Sequence, residues 1–387
     1  VTLVPLFLVV FVDILGMMMI IPLLPFFAMK MGASVFETGL ITAAYAVMQI
    51  LFSPVLGRLS DRYGRKKLLL LSQVFLAAGF FLLASSSSVT MVFMARILSG
   101  VGAGNLSLVQ AMIADSTREE ERTRAFGLFG AIVGLGLTIG PALTGIFAKI
   151  DWTVPIYVSF SLACLSFLLC ATLLPNKMPA TVARKSIKET LRSFWKTTGT
   201  RQCYLQFLLF FCSFAFLVSG LGLIMESRFF TSEGRRYGPS EIGYLFGVLG
   251  VIGIVVQGLL LPRLEKTFGN HNLTLSGFLL TILGYLGVGF FHNVYFFFFA
   301  CGLFGIGNSL IRPTITSRLT KSLHNSDEGM ALGFSSSLQS FAHVICPPLG
   351  AFLIQHHWVP QLGVLMALLS LMGYVIGLRN QDTVSTL

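Results

Sequence analysis

Residues 57–67 read GRLSDRYGRKK. The stretch places five cations and one acid between two apolar runs, 36–57 and 67–86, each long enough to cross a bilayer. Lys and Arg collect at cytoplasmic hairpins of membrane proteins because they are hard to translocate. Charge alone would make the stretch a topological anchor. The spacing asks for more, because Gly57 and Gly64 bracket Asp61 and Arg62, with Arg65 just beyond, where a short loop must reverse direction.

The composition agrees with a membrane setting. Of 387 residues, 55% are hydrophobic and 11% charged, and the mean hydropathy is +0.81. A soluble domain carries roughly 25% charged residues. The chain therefore reads as an all-α integral membrane protein, with no cleavable signal ahead of the first span. The net charge of +11 does not imply nucleic acid, because the cations lie in short interhelical loops. The six cysteines sit in or beside apolar runs and fit no metal-ligand spacing. No nucleophile–base pair, metal cluster or phosphate-cradling loop is present, so an enzyme, a metal and a cofactor are not expected.

At about 20 apolar residues per crossing, the chain holds about twelve spans: 4–28, 36–57, 67–86, 89–113, 124–149, 154–175, 202–226, 240–261, 271–291, 293–316, 328–355 and 357–379. One join is long, polar and basic, and it divides the chain into a six-helix bundle at 1–175, a cytoplasmic linker at 176–201 and a second bundle at 202–387. Ile187, Leu191, Phe194 and Trp195 recur at helical spacing in that linker, as in an amphipathic surface helix. About 21 of the 27 Lys and Arg fall in alternate loops and the C-terminus, which puts both termini in the cytoplasm.

The halves repeat. Arg58-Leu59 and Tyr63-Gly64 find Arg263-Leu264 and Phe268-Gly269 about 205 positions on, and Gly100 and Gly102 find Gly305 and Gly307 at the same shift. Gly127 and Pro141 find Gly333 and Pro347 about 206 on. One nearly constant offset across four helices argues for a duplicated six-helix unit rather than general Gly and Pro richness. Two such bundles create a central crevice that can open to each side of the membrane in turn.

These residues resemble the major facilitator superfamily, and most of all its twelve-helix drug–proton antiporters, tetracycline efflux pumps included. GRLSDRYGRKK is similar to that family's signature between spans 2 and 3. ARILSGVGAG, Ala95 to Gly104, is similar to its span 4 signature, and GLGLTIGPALTG, Gly134 to Gly145, to its span 5 antiporter signature. VDILGMMMIIPLLP, Val12 to Pro25, resembles its span 1 pattern, and ESRF at Glu226 resembles the tetracycline pumps. The resemblance implies a monomeric, proton-coupled exporter of small amphipathic molecules in a bacterial inner membrane, driven by the proton gradient and working by alternating access. It also implies that Asp61 faces residues 326–329 and that Arg65 pairs with Asp115, a clasp that shuts the cytoplasmic side. Gly136, Gly140, Pro141 and Gly145 let span 5 approach another helix closely and then bend. The resemblance names span 8 as that partner.

Asp13 is the one acid well inside a predicted span. An ionised carboxylate there is costly, so it faces the interior, pairs or takes a proton. Either it carries the coupled proton or it is locked structurally to a neighbour. His343 titrates near neutrality or is merely bonded near Gln339, and Glu226 is the third proton candidate. Arg96 is the other embedded charge, placed nearer the outside than Asp13 by a rise of 1.5 Å per residue. Candidates to line a substrate cavity are Arg96, Tyr45, Gln49, Asn105, Gln257, Asn308, Arg312 and Gln339; Arg312 alternatively snorkels.

The resemblance breaks where tetracycline pumps carry acids in spans 3 and 9 and a His in span 8. Here those places hold Gly79, Thr281 and Gly253. Tetracycline is thus a poor fit. With Arg96, Arg312 and His343 set against Asp13, a specific anionic metabolite or a siderophore, exported or imported, is the alternative solute.

Overall fold

The structure is a computed structural model that describes residues 3–117, 119–175, 198–231, 233–322 and 328–378. The expected amphipathic linker helix lies outside the described residues. The helices are α1 (Val4–Ile20), α2 (Leu24–Lys30), α3 (Val35–Tyr63), α4 (Arg65–Ala84), α5 (Val89–Gly102), α6 (Asn105–Ser116), α7 (Glu119–Phe147) and α8 (Val154–Leu173). They continue as α9 (Thr198–Arg228), α10 (Pro239–Ile254), a π-helical turn (Val255–Leu260), α11 (Leu261–Phe290), α12 (Val294–Lys321), α13 (Glu328–Gln355) and α14 (Val359–Leu378). The described residues contain no strand, only an isolated bridge between Phe230 and Arg236.

Ten of these helices or helix runs are long and apolar enough to cross a membrane, and α1 with α2 makes an eleventh, bent by 47°. The run Pro239–Phe290 counts once in that tally but is interrupted at Gly269. Two arms there are consistent with twelve spans. Span 1 bends at the Pro22 and Pro25 pair, since proline cannot donate to the preceding turn. Span 4 is not one helix as expected. It breaks at Ala103-Gly104, and α6 restarts at Asn105.

The ends are fixed by local chemistry. Ser34 and Glu37 form a reciprocal capping box at the start of α3. Lys66 donates from Nζ to the carbonyls of Ala171 and Leu174 at 2.7 and 2.6 Å, neutralising the C-terminal dipole of α8.

The chain divides into two compact units. One comprises Val1–Val182, Leu221–Gly247 and Pro347–Phe352; the other comprises Ala183–Gly220, Val248–Cys346 and Leu353–Leu387. In the first, Leu6, Val10, Leu69, Met112 and Cys170 build one core, and Ile20, Phe27, Leu76, Phe80 and Ile156 another. Large apolar side chains also stand exposed on the outer surface, among them Phe81, Leu168, Leu283 and Phe299, as lipid-facing helices require.

Internal packing repeats between the units. A Cβ at Gly79 would meet Ser99 and Ala95 at under 3 Å, and one at Gly284 would meet Phe304 and Ala300 equally closely. Likewise Gly102 lies against Ser72 and Leu76, and Gly307 against Gly277 and Thr281. Every one of these partners is shifted by 205 positions. Small residues let the backbones approach, so each unit repeats the same helix contacts.

Candidate functional site

Asp13 sits within the first unit, 2% exposed, and is the one fully buried carboxylate among the described residues. Four helices converge on it. Asn105, the first residue of α6, donates from Nδ2 to Asp13 Oδ2 at 2.8 Å. The break in span 4 permits this, because Asn105 at the new helix start also accepts from the Leu106 N–H through Oδ1. From α4, Gln73 reaches the same carboxylate oxygen with Nε2 at 3.5 Å and donates to Ser166 Oγ of α8 at 2.8 Å. Ser166 in turn donates to the Val9 carbonyl on α1 at 3.3 Å. Asp13 Oδ1 and Gln73 Oε1 are both buried and have no hydrogen-bond partner among the described residues.

Arg96 is 8% exposed and does not pair with Asp13. Its guanidinium lies over the Tyr45 ring, 4.3 Å from the centroid, and Nε is buried without a partner. Stacking of this kind is worth roughly 0.5–2 kcal/mol. The Tyr45 hydroxyl lies 3.5 Å from Met17 Sδ, one turn along α1 from Asp13. The first unit therefore joins an acid held by two neutral amides and the Ser166 hydroxyl to an arginine held by an aromatic face.

At the junction of α3 and α4 the charged stretch is helical except at Gly64, not the loop from Gly57 expected, and it forms a compact knot. Arg65, 5% exposed, pairs through Nε with Asp115 at 3.0 Å and through Nη1 with Asp61 at 2.8 Å, and donates to Ser60 Oγ at 2.8 Å. Gly64 ends α3 at φ 98° and ψ 139°. Arg62 is exposed over Tyr63. Of residues 326–329, the expected partners of Asp61, 326 and 327 lie outside the described residues.

Helix α7 presents two faces. Gly136 and Gly140 press on Ile14, Leu15 and Met18 of α1, not on span 8. The span 8 contact belongs to the following turn, where Gly145 meets Gly243 of α10, and Pro141 lends its carbonyl to the same approach. Helix α7 passes through Pro141 without interruption. Beyond its end, Lys149 lies 4.9 Å from the Tyr244 ring centroid, and the Tyr244 hydroxyl raises its pKa above the usual lysine value by accepting a hydrogen bond. Phe36 packs edge-on against Phe352 in the same unit.

The other candidates are more scattered. His343 bonds through Nδ1 to the Gln339 carbonyl at 2.9 Å, one turn back on its own helix. Glu226 is half-buried near the end of α9, its carbonyl accepting from Arg236 at 3.2 Å. Gln49, Asn308 and Gln339 are half-buried, whereas Gln257, in the π-helical turn, and Arg312 are exposed. Gly57 faces open space. Gln73 and Ser166 were not singled out in the sequence. A Gln within an apolar run was the available signal, and only the fold shows that it meets Asp13.

A multi-pass membrane protein, helical and with one buried acid among the described residues and with short charged hairpins, is the class this geometry defines. The chain belongs to the Major Facilitator Superfamily, whose sequence profile matches residues 6–326 and 263–384. It is 28% identical to the tetracycline resistance protein, class H, of Pasteurella multocida over 97% of this chain and 95% of that one. It is also 28% identical to multidrug resistance protein 1 of Bacillus subtilis, over 89% and 87%. Its fold resembles that of the human organic anion transporter MFSD10, with a TM-score of 0.71 at 20% identity over 97% of this chain and 98% of that one.

Proposed function

We propose that the protein is a proton-coupled exporter of small amphipathic molecules that works by alternating access, with Asp13 as the group that takes and releases the proton. The observation that carries this reading is the Asp13 environment. A carboxylate at 2% exposure, met by the amides of Asn105 and Gln73 and the Ser166 hydroxyl, has no cation among the described residues to hold it ionised, so protonation is the inexpensive way to keep it in the membrane. Kinship with tetracycline and multidrug resistance proteins supports efflux as the direction. The proton gradient supplies the energy, and no cofactor takes part. The organisation is a bundle at 1–175, a linker at 176–201 and a bundle at 202–387. The protein acts as a monomer in a bacterial inner membrane, with both termini in the cytoplasm.

The Arg65 knot with Asp61 and Asp115 supports the clasp reading of the loop, in which these bonds form and part as the protein cycles. The test is reconstitution in liposomes under an imposed proton gradient, with a panel of lipophilic dyes and drugs. Gradient-dependent movement of several such compounds is expected, and failure of all of them counts against the reading.

A second reading is favoured by Arg96. A buried guanidinium that forms no ion pair among the described residues suits a solute bearing one carboxylate, such as an anionic metabolite or a siderophore. Counterflow with mono- and dicarboxylates in the same liposomes separates the two readings.

A further inference from the structure

The amide of Gln73 makes one long hydrogen bond to the carboxyl of Asp13, and each group keeps one buried oxygen without a partner. Gln73 Nε2 points to Asp13 Oδ2 at 3.5 Å, and the orphans are Asp13 Oδ1 and Gln73 Oε1. Those are the two atoms that would be joined in the cyclic pair that a carboxylic acid forms with a carboxamide, one N–H to a carbonyl and one O–H to a carbonyl. Closing it takes one proton and no new side chain. The surroundings hold Gln73 in place: it is wholly buried, and its nitrogen is anchored on Ser166.

We propose that Gln73 is the positioning residue of the proton site, its Oε1 accepting the hydrogen bond of protonated Asp13. The proton enters at Oδ1, the acid becomes neutral, and the O–H donates to Oε1 while Asn105 and Nε2 remain on Oδ2. The titratable groups set around Asp13 are the Tyr45 phenol on α3 and the Cys170 thiol on α8, and the cation Arg96 on α5 is stacked on Tyr45. Helix α4 brings only the neutral Gln73 to this level. The site is confined to one half of the chain: at the 205-residue shift Gln73 becomes Phe278 and Asn105 becomes Leu310. This inference rests on the Asp13 reading above and adds the group that receives the proton's hydrogen bond.

The test is infrared difference spectroscopy of the purified full chain in lipid discs across a pH titration. A protonated-carboxyl C=O band that Asp13→Asn abolishes identifies the acid. Gln73→Met, near in volume but without an amide, is expected to move that band to higher wavenumber, as loss of a hydrogen bond does. Ser166→Ala, a gentler change, is expected to broaden it or move it the same way by loosening the amide. A band that neither variant changes overturns the role of Gln73 while leaving Asp13 as the proton carrier. Absence of any Asp13 band in the unsubstituted protein overturns both.

Discussion

Gly64 and Gly269 hold nearly the same backbone conformation 205 positions apart, φ 98° and ψ 139° at the first and φ 74° and ψ 157° at the second. Both lie in a region that is essentially restricted to glycine, and each reverses the chain between two helices. Adding a side chain at either should cost about 1–3 kcal/mol. We expect Gly64→Ala and Gly269→Ala each to lower the melting temperature of the purified protein. Gly57→Ala, in a helix with open space around it, should leave it unchanged or raise it slightly. Thermal unfolding followed by intrinsic fluorescence checks this.

The two acids on Arg65 are unequal. The Asp115 pair is nearly dry, with side chains 5% and 10% exposed, whereas Asp61 is 41% exposed. Breaking a buried pair costs on the order of 3–5 kcal/mol where it strands a charge and less where, as here, Arg65 keeps Asp61, while an exposed pair is worth about 1 kcal/mol or less. Asp115→Asn should therefore destabilise the protein more than Asp61→Asn. The latter should still insert and fold, yet transport more slowly if the clasp must form in each cycle. Membrane yield and initial transport rate, measured together, separate the two effects.

At the contact of α7 with α10 there is no room for a methyl group. A Cβ on Gly243 would overlap the backbone of Gly145, whereas a Cβ on Gly258 would meet nothing within 4 Å. Overpacking of this kind costs about 1–3 kcal/mol. Gly243→Ala should reduce both stability and transport, and Gly258→Ala neither. Equal behaviour of the two variants would remove the close approach as a determinant.

Arg96 offers a test of solute class. Arg96→Lys keeps the charge but gives up the planar stack on Tyr45 and the forked donors that suit a carboxylate. If the solute is anionic, its half-saturation concentration should rise at least several-fold in Arg96→Lys and in Tyr45→Leu. For a neutral or cationic solute it should stay near the unsubstituted value.

Much of this architecture could be read from residues alone, for physical reasons. Span length is set by bilayer thickness, so apolar runs marked the helices within a few residues. The repeat was visible because close helix approach tolerates only small residues, and Gly100, Gly102 and Gly307 fall where backbones meet. Asp13 stood out because an acid in an apolar run is costly. Its partners did not, since a Gln or Ser in a membrane helix gives no sign of which neighbour it meets. The interruption of span 4 was also hidden: Gly102, Ala103 and Gly104 read as packing residues, and only the fold shows the helix restarting at Asn105 to aim its amide at the acid. Helix α7 was misread for a related reason. Glycines at four-residue spacing mark one close contact but do not say against which helix, and Gly136 and Gly140 meet α1 while Gly145 meets α10.

Asp13→Asn is the most direct test, because it keeps the shape of the carboxyl group and removes its titration. In liposomes loaded with a transported dye, two rates are compared: exchange across the membrane without a gradient, and accumulation driven by an imposed proton gradient. The account predicts that Asp13→Asn loses gradient-driven accumulation and keeps exchange. Undiminished gradient-driven accumulation in Asp13→Asn would contradict it.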